Sequence, residues 1–215
     1  MENRKPTLIS VSGRIGHGKD TVGNIIQFLM HTEGKWDEDY WKLLQNPKDQ
    51  VKGVHNNWQN YWGIKKFASK LKQTATLLTG VPLDKWEDQE FKASEMPSQW
   101  NYLKQMFENN EFGKDGYSVM PMTYREFLQR LGTEAMREGL HTDVWVNALF
   151  ADYKALNELK CWESEGKVSP IFPKWIITDC RFPNEFAAVK NRGGICVKVE
   201  RYNKTDTRKF NEVPN

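Results

Sequence analysis

The chain has 215 residues, enough for one α/β domain with a well-buried sheet, and a second full domain is not expected. Its 31 Lys and Arg against 28 Asp and Glu leave a net charge of +3, too mild for a nucleic-acid footprint, whereas a small anionic ligand needs only a local basic pocket. No apolar run approaches roughly 18 residues, Met1 to Pro6 is short and polar, and Cys161, Cys180 and Cys196 lack metal-ligand spacing and cannot all pair, so a soluble protein of a reducing cytosol is expected, host cytosol if viral.

The first element opens at Thr7. A β-branched apolar run turns through Gly13, Gly16 and Gly18 and continues from about Lys19 as a helix with Val22, Ile25, Ile26 and Leu29 on its apolar positions. Strand, glycine loop, Lys and helix in that order form a phosphate-binding device. The glycines let backbone N–H groups curl inward, the helix dipole points its positive end at the same spot, and Lys19 supplies an ammonium for the outer phosphates. The spacing Gly13-x4-Gly18-Lys19 matches the Walker A pattern, with Asp20 where Ser or Thr is usual and Thr21 one place late. Asp20 is then a candidate to hold Mg²⁺, directly or through water, with Thr21 giving the hydroxyl contact.

Lys35 to Gly63 is polar, carries Trp36, Trp41, Trp58 and Trp62, and is read as a surface insertion, partly helical around Asp37 to Leu44. Ile64 to Ala68 is a short strand feeding a helix from Ser69 to Leu78 that stops at Gly80. Val81 to Ser98 is loop-rich, Gln99 to Glu108 reads as a helix, and Asn109 to Met122 as a connection. A kinase keeps a substrate-gripping flap in such a polar middle, so 81–122 is marked as a lid region.

Thr123-Tyr124-Arg125-Glu126 has the capping-box pattern of a helix start. Tyr124, Phe127, Leu128, Leu131 and Ala135 share one arc, the core face, while Arg125, Gln129 and Gly132 share another. An Arg and a Gln one turn apart, followed by a glycine that leaves space, suit a phosphate and a base edge, although an exposed polar stripe has the same spacing. A further helix, about Asp143 to Lys160, is expected to pack through Val146, Leu149, Phe150, Tyr153 and Leu156, with Trp145 near its start.

Trp175-Ile176-Ile177-Thr178-Asp179 is a buried strand ending in an acid, as in the Walker B layout, where such an Asp meets Mg²⁺ or orders its waters. In a doubly wound sheet ligands lie at the C-terminal strand ends, so Asp179 should converge on the glycine loop. Pro183 suits the first turn of a helix ending at Gly193-Gly194, and Ile195 to Val199 is the final strand. Arg181 and Glu185, one turn apart, form either a surface ion pair or, beside that acid, part of a ligand site.

Four blocks, SGRIGHGKDT, KFASKLK, REFLQRLGTEAMR with DVWV, and TDCRFPNE, occur in the order seen in the deoxynucleoside monophosphate kinases of tailed bacteriophages, and the sequence resembles that family over residues 12 to 185. The resemblance implies a three-layer α/β/α P-loop kinase fold with a mainly parallel central sheet, a single domain over 1–215 with a helical and loop insertion for substrate. It implies transfer of the γ-phosphate of ATP, with Mg²⁺, to a dNMP. Gly13, Gly16, Gly18, Lys19, Asp20 and Thr21 would hold ATP phosphates and metal. Leu71, Lys72, Arg125, Gln129, Gly132, Thr133 and Trp145 would shape the monophosphate site, Trp145 by stacking on base or sugar, and Asp179, Arg181 and Glu185 would complete it near the transferred group. Lys19, Arg14, Arg181 and Asp179 are the catalytic candidates, with Lys92 a weaker one for substrate phosphate. The family pattern continues past the strand at Ile195 to Val199 with a His/Ser/Glu-containing segment and a further strand, neither of which is evident here. Another small-molecule P-loop kinase and a non-catalytic nucleic-acid-binding module are the competing readings, nucleic acid being the less expected partner. Oligomeric state stays open, a homodimer being one option.

Overall fold

The computed structural model describes residues 6–32, 38, 62–107, 115–156 and 170–200, with backbone alone at 104–107 and 115–117. In chain order the elements are β1 (Leu8–Ser12), α1 (Lys19–His31), β2 (Trp62–Lys65), α2 (Phe67–Thr79), α3 (Gln89–Ala93), β3 (Tyr102–Phe107), β4 (Asp115–Met120), α4 (Tyr124–Gln129), α5 (Val144–Phe150), β5 (Lys174–Cys180), α6 (Pro183–Lys190) and β6 (Ile195–Lys198). They fall into two compact units, Met1–Lys66 with Tyr153–Asn215, and Phe67–Asp152. The second unit is larger than the lid expected at 81–122, because α2, α4 and α5 belong to it.

The first unit is α/β, built on a four-stranded sheet of order β2-β5-β1-β6 whose neighbours are all parallel. All five residues of β1 are buried, as a parallel strand covered on both faces requires. On one face Ile9, Val11 and Ile176 meet Val22 and Ile26 of α1. Leu8, alternating to the other face, is approached by the turn after α6: a Cβ on Gly194 would lie 2.8 Å from Leu8 Cβ and 2.6 Å from Val189 Cγ1. Helices therefore flank both sides of the sheet. Trp62, expected in the insertion, instead opens β2 and is buried in this core, its carbonyl accepting from the Gln27 amide at 2.5 Å. Gly63 continues β2, and the rest of that insertion apart from Glu38 lies outside the described residues.

Between β1 and β5 the register passes from Ser10 opposite Ile177 to Ser12 opposite Cys180, so β5 has one extra residue at its C-terminal end. Such bulges redirect side chains at strand ends. Here the irregularity falls at Thr178 and Asp179.

In the second unit, Trp86 is fully buried among Ala75, Met96, Met122 and Phe127, with its indole N–H donating to Thr76 Oγ1 at 3.0 Å. Thr123 caps α4 as expected, accepting from the Glu126 N–H at 3.1 Å. The reciprocal half of the capping box is replaced, since the Glu126 carboxylate accepts from the Tyr102 hydroxyl at 2.7 Å. Past Gln129 the helix widens into π-type turns over Arg130–Glu138, and the Gly139 N–H reaches back five residues to the Glu134 carbonyl at 3.0 Å.

Two expected helices differ. Where a helix is expected over Gln99 to Glu108, Ser98–Trp100 makes one 3-10 turn and Tyr102–Phe107 pairs antiparallel with Asp115–Met120, a strand inside the expected connection. A cross-strand ladder satisfies those backbone groups, and a ten-residue window cannot see its partner. The helix over Asp143 to Lys160 ends at Phe150; Val146, Leu149 and Phe150 are buried as expected, but Leu156 is exposed and its N–H bonds the Ile171 carbonyl. Tyr153 leaves the helical stripe to put its hydroxyl 2.6 Å from Thr7 Oγ1. Ala135, expected on the core face of the helix that begins at Thr123, is exposed.

Candidate phosphate-binding site

Ser12 and Cys180 end adjacent strands, so the loop after β1 and the segment after β5 open at the same edge of the sheet. Gly16 and Gly18 adopt φ of 81° and 78°, left-handed values that a side chain would resist, and Gly18 is the N-cap of α1. Lys19 folds back over the loop, its ammonium donating to the carbonyls of Gly13 at 2.8 Å and Arg14 at 2.7 Å. Its pKa lies below the ordinary lysine value, first through burial and then through the nearby Arg181 guanidinium; Asp20 and Asp179 pull the other way and Lys66 adds to the depression. Lys19, Asp20, Asp179 and Arg181, named from sequence, thus share one electrostatic neighbourhood.

Asp20 is held from two sides. The Thr178 hydroxyl donates to its Oδ1 at 2.6 Å, and the Lys66 ammonium lies 2.9 Å from the same oxygen. Burial alone would raise this carboxyl, but the Thr178 and Lys66 hydrogen bonds and the charges of Lys66 and Lys19 outweigh it and hold the group below the ordinary Asp value. The Thr178 contact depends on Gly23, because a Cβ there would sit 2.4 Å from Thr178 Cγ2. Thr21 is exposed and Arg14 half-buried.

Neither Lys66 nor Thr178 was singled out in the sequence. Thr178 immediately precedes the strand-end acid and Lys66 immediately follows β2, so the strand-end rule was the available signal. Their meeting at Asp20 depends on β5 lying between β2 and β1, which no local pattern encodes.

Glu185 is 1 % exposed and accepts from the backbone N–H groups of Arg181 at 2.7 Å and Phe182 at 3.1 Å. It caps α6 and fixes the turn that carries Arg181. The expected choice between a surface ion pair and a ligand contact therefore gives way to a positioning role. Among the described residues no group of three or more His, Cys, Asp or Glu is placed to hold a metal; Asp20 and Asp179 are the two carboxylates whose charges act on Lys19.

The expected acceptor residues all lie in the second unit, apart from Asp179, Arg181 and Glu185. Gly132 does not open space for a ligand: a Cβ there would meet Leu71 Cδ2 at 3.0 Å, so Leu71 fills that room. Trp145 is only 4 % exposed and its indole N–H donates to the Gly132 carbonyl at 2.9 Å, so it offers no open ring face for stacking and instead fixes the widened helix. Gln129 and Thr133 are exposed. Arg125 is also exposed, with Nη2 donating to Gln89 Oε1 at 3.1 Å. Lys72 pairs with Glu87 at 2.5 Å. Lys92 has a lowered pKa, first through burial, then through Lys72, with Arg125 contributing against Glu87 and Asp88. Lys72, Lys92 and Arg125 are therefore gathered in one region.

No helix among the described residues is long and apolar enough to cross a membrane. No family model, curated protein or solved structure matches this chain.

Proposed function

We propose that this chain is a nucleotide kinase that moves the γ-phosphate of ATP to a deoxynucleoside monophosphate, giving the diphosphate. One observation carries the proposal: at the C-terminal edge of two adjacent parallel strands, a glycine loop and its lysine share a neighbourhood with a strand-end carboxylate and an arginine. Phosphoryl transfer asks mainly for positioning and charge neutralisation, and these groups are of the kinds that supply both. Loop amides and Lys19 receive the donor phosphates, Arg181 and Arg14 offset charge on the transferring group, and Glu185 holds the Arg181 turn.

Two carboxylates suit Mg²⁺, which keeps several waters and shares its remaining positions with phosphate oxygens. Asp20 and Asp179 would hold it, and when bound it would supply charge neutralisation at the donor phosphates. The acceptor phosphate is assigned to Lys72, Lys92 and Arg125. A dNMP is favoured by the ordered sequence blocks shared with the phage kinases.

Burial of Trp145 favours a second reading, a P-loop kinase for another small acceptor, since base stacking on that ring is not available. A steady-state panel of ATP with the four dNMPs and four NMPs decides between them. Turnover of at least one dNMP is expected; phosphorylation only of non-nucleotide acceptors would reject the nucleotide assignment. Lys19→Ala should abolish turnover while the circular dichroism spectrum and melting temperature stay near those of the parent, because its ammonium donates to the loop carbonyls of Gly13 and Arg14 and not to the core.

A further inference from the structure

We propose that Lys66 is a phosphate ligand of the nucleotide site, parked on Asp20 until the anion binds. This rests on the reading of the glycine loop as that site. Lys66 is the first residue after β2, at the C-terminal edge of the parallel sheet where ligands of doubly wound folds are bound. Its ammonium is 2.9 Å from Asp20, the residue next to Lys19, and its charge is felt at Lys19 itself. A role at the loop mouth is therefore geometric as well as electrostatic.

The alternative is that Lys66 merely neutralises Asp20. Exposure argues against it: the Lys66 and Asp20 side chains are 34 % and 67 % exposed, and an ion pair this open to water stabilises a fold very little. It is easily exchanged. A phosphate group presents several strong acceptor oxygens and more charge than one carboxylate, so the ammonium gains by moving to it. Asp20 is not stranded by the move, because the Thr178 hydroxyl remains on the same oxygen.

The test is equilibrium titration of ATP with Mg²⁺ into the full-length chain, its Lys66→Met and Lys66→Arg variants, and the same Met change in an Asp20→Asn background, each with a thermal melt. Loss of a charge-assisted hydrogen bond predicts affinity weaker by about tenfold or more in Lys66→Met, a nearly unchanged melting temperature, and partial recovery with Arg. The loss should persist in the Asp20→Asn background. Unchanged affinity in Lys66→Met, or a loss that disappears once Asp20 is Asn, would overturn the inference while leaving the kinase reading intact. Should Lys66→Met not fold, Lys66→Gln against Lys66→Arg reads the same ratio. Failure of the parent chain to bind ATP would overturn both.

Discussion

At the scale of single residues, Gly23 links helix packing to the candidate site. Its missing side chain lets α1 approach β5 closely enough for the Thr178 hydroxyl to reach Asp20 at 2.6 Å. A Cβ placed 2.4 Å from Thr178 Cγ2 must displace something, and rotating the stiff threonine to clear its methyl also withdraws the hydroxyl. Overpacking costs about 1–3 kcal/mol, and the helix preference of Ala over Gly returns about 1 kcal/mol. Gly23→Ala is therefore expected to destabilise by up to about 2 kcal/mol in denaturant melts. Adding Thr178→Ser, which deletes the methyl and keeps the hydroxyl, should restore much of the loss. A double variant no better than Gly23→Ala alone would place the strain elsewhere. Gly132 works similarly in the second unit, where it admits Leu71 rather than a ligand, so a sequence glycine that "leaves space" does not say what fills it.

At the scale of elements, α6 and the turn before it show how a buried charge serves geometry. Pro183 occupies the first turn and has no N–H of its own to satisfy, while the N–H groups of Arg181 and Phe182 just before it donate to the Glu185 carboxylate. Truncating the acceptor strips both part-buried donors of their partner, each at roughly 1–3 kcal/mol less what water returns. Glu185→Ala should accordingly lose about 2–4 kcal/mol of stability, while Glu185→Gln, which keeps one acceptor oxygen, should lose less. If Glu185 acts through Arg181, the Ala variant should also depress kcat more than it raises the KM for ATP, and a proportional fall in stability with unaltered kinetics in the folded fraction would leave it a cap alone. The hairpin of β3 and β4 teaches the reverse lesson. Its strand pairing, with Leu103 opposite Val119, depends on a partner more than ten residues away, and the local pattern at Gln99 to Glu108 was compatible with a helix.

At the scale of the molecule, division into two units gives the proposed chemistry a separable signature. Donor-phosphate residues lie in the unit of Met1–Lys66 and Tyr153–Asn215, and the Lys72, Lys92 and Arg125 cluster lies in Phe67–Asp152. Ligands that bind only the folded state slow local opening around their contacts. In hydrogen exchange, ATP with Mg²⁺ should add protection over 12–24 and 176–186, and a dNMP alone over α2, α3 and α4. Protection by dNMP confined to the first unit would reject the acceptor assignment while leaving the donor site standing.

The sequence by itself determined the local devices, because each is written within one or two turns of chain: the glycine loop between a buried strand and a helix, the Thr123 cap, the acid at the end of β5, and Pro183 opening α6. It also carried the apolar run of β1, whose unbroken burial follows from a parallel strand covered on both faces. Tertiary structure decided what those devices meet. Strand order brought Lys66 and Thr178 to Asp20, close packing gave the room at Gly132 to Leu71, and burial turned Trp145 from an expected stacking surface into a hydrogen-bond donor to the backbone. Periodicity and capping act through neighbours a few residues apart, whereas the partners of these side chains come from separate elements, 158 residues off in the case of Thr178 and Asp20, and only the folded chain brings them together.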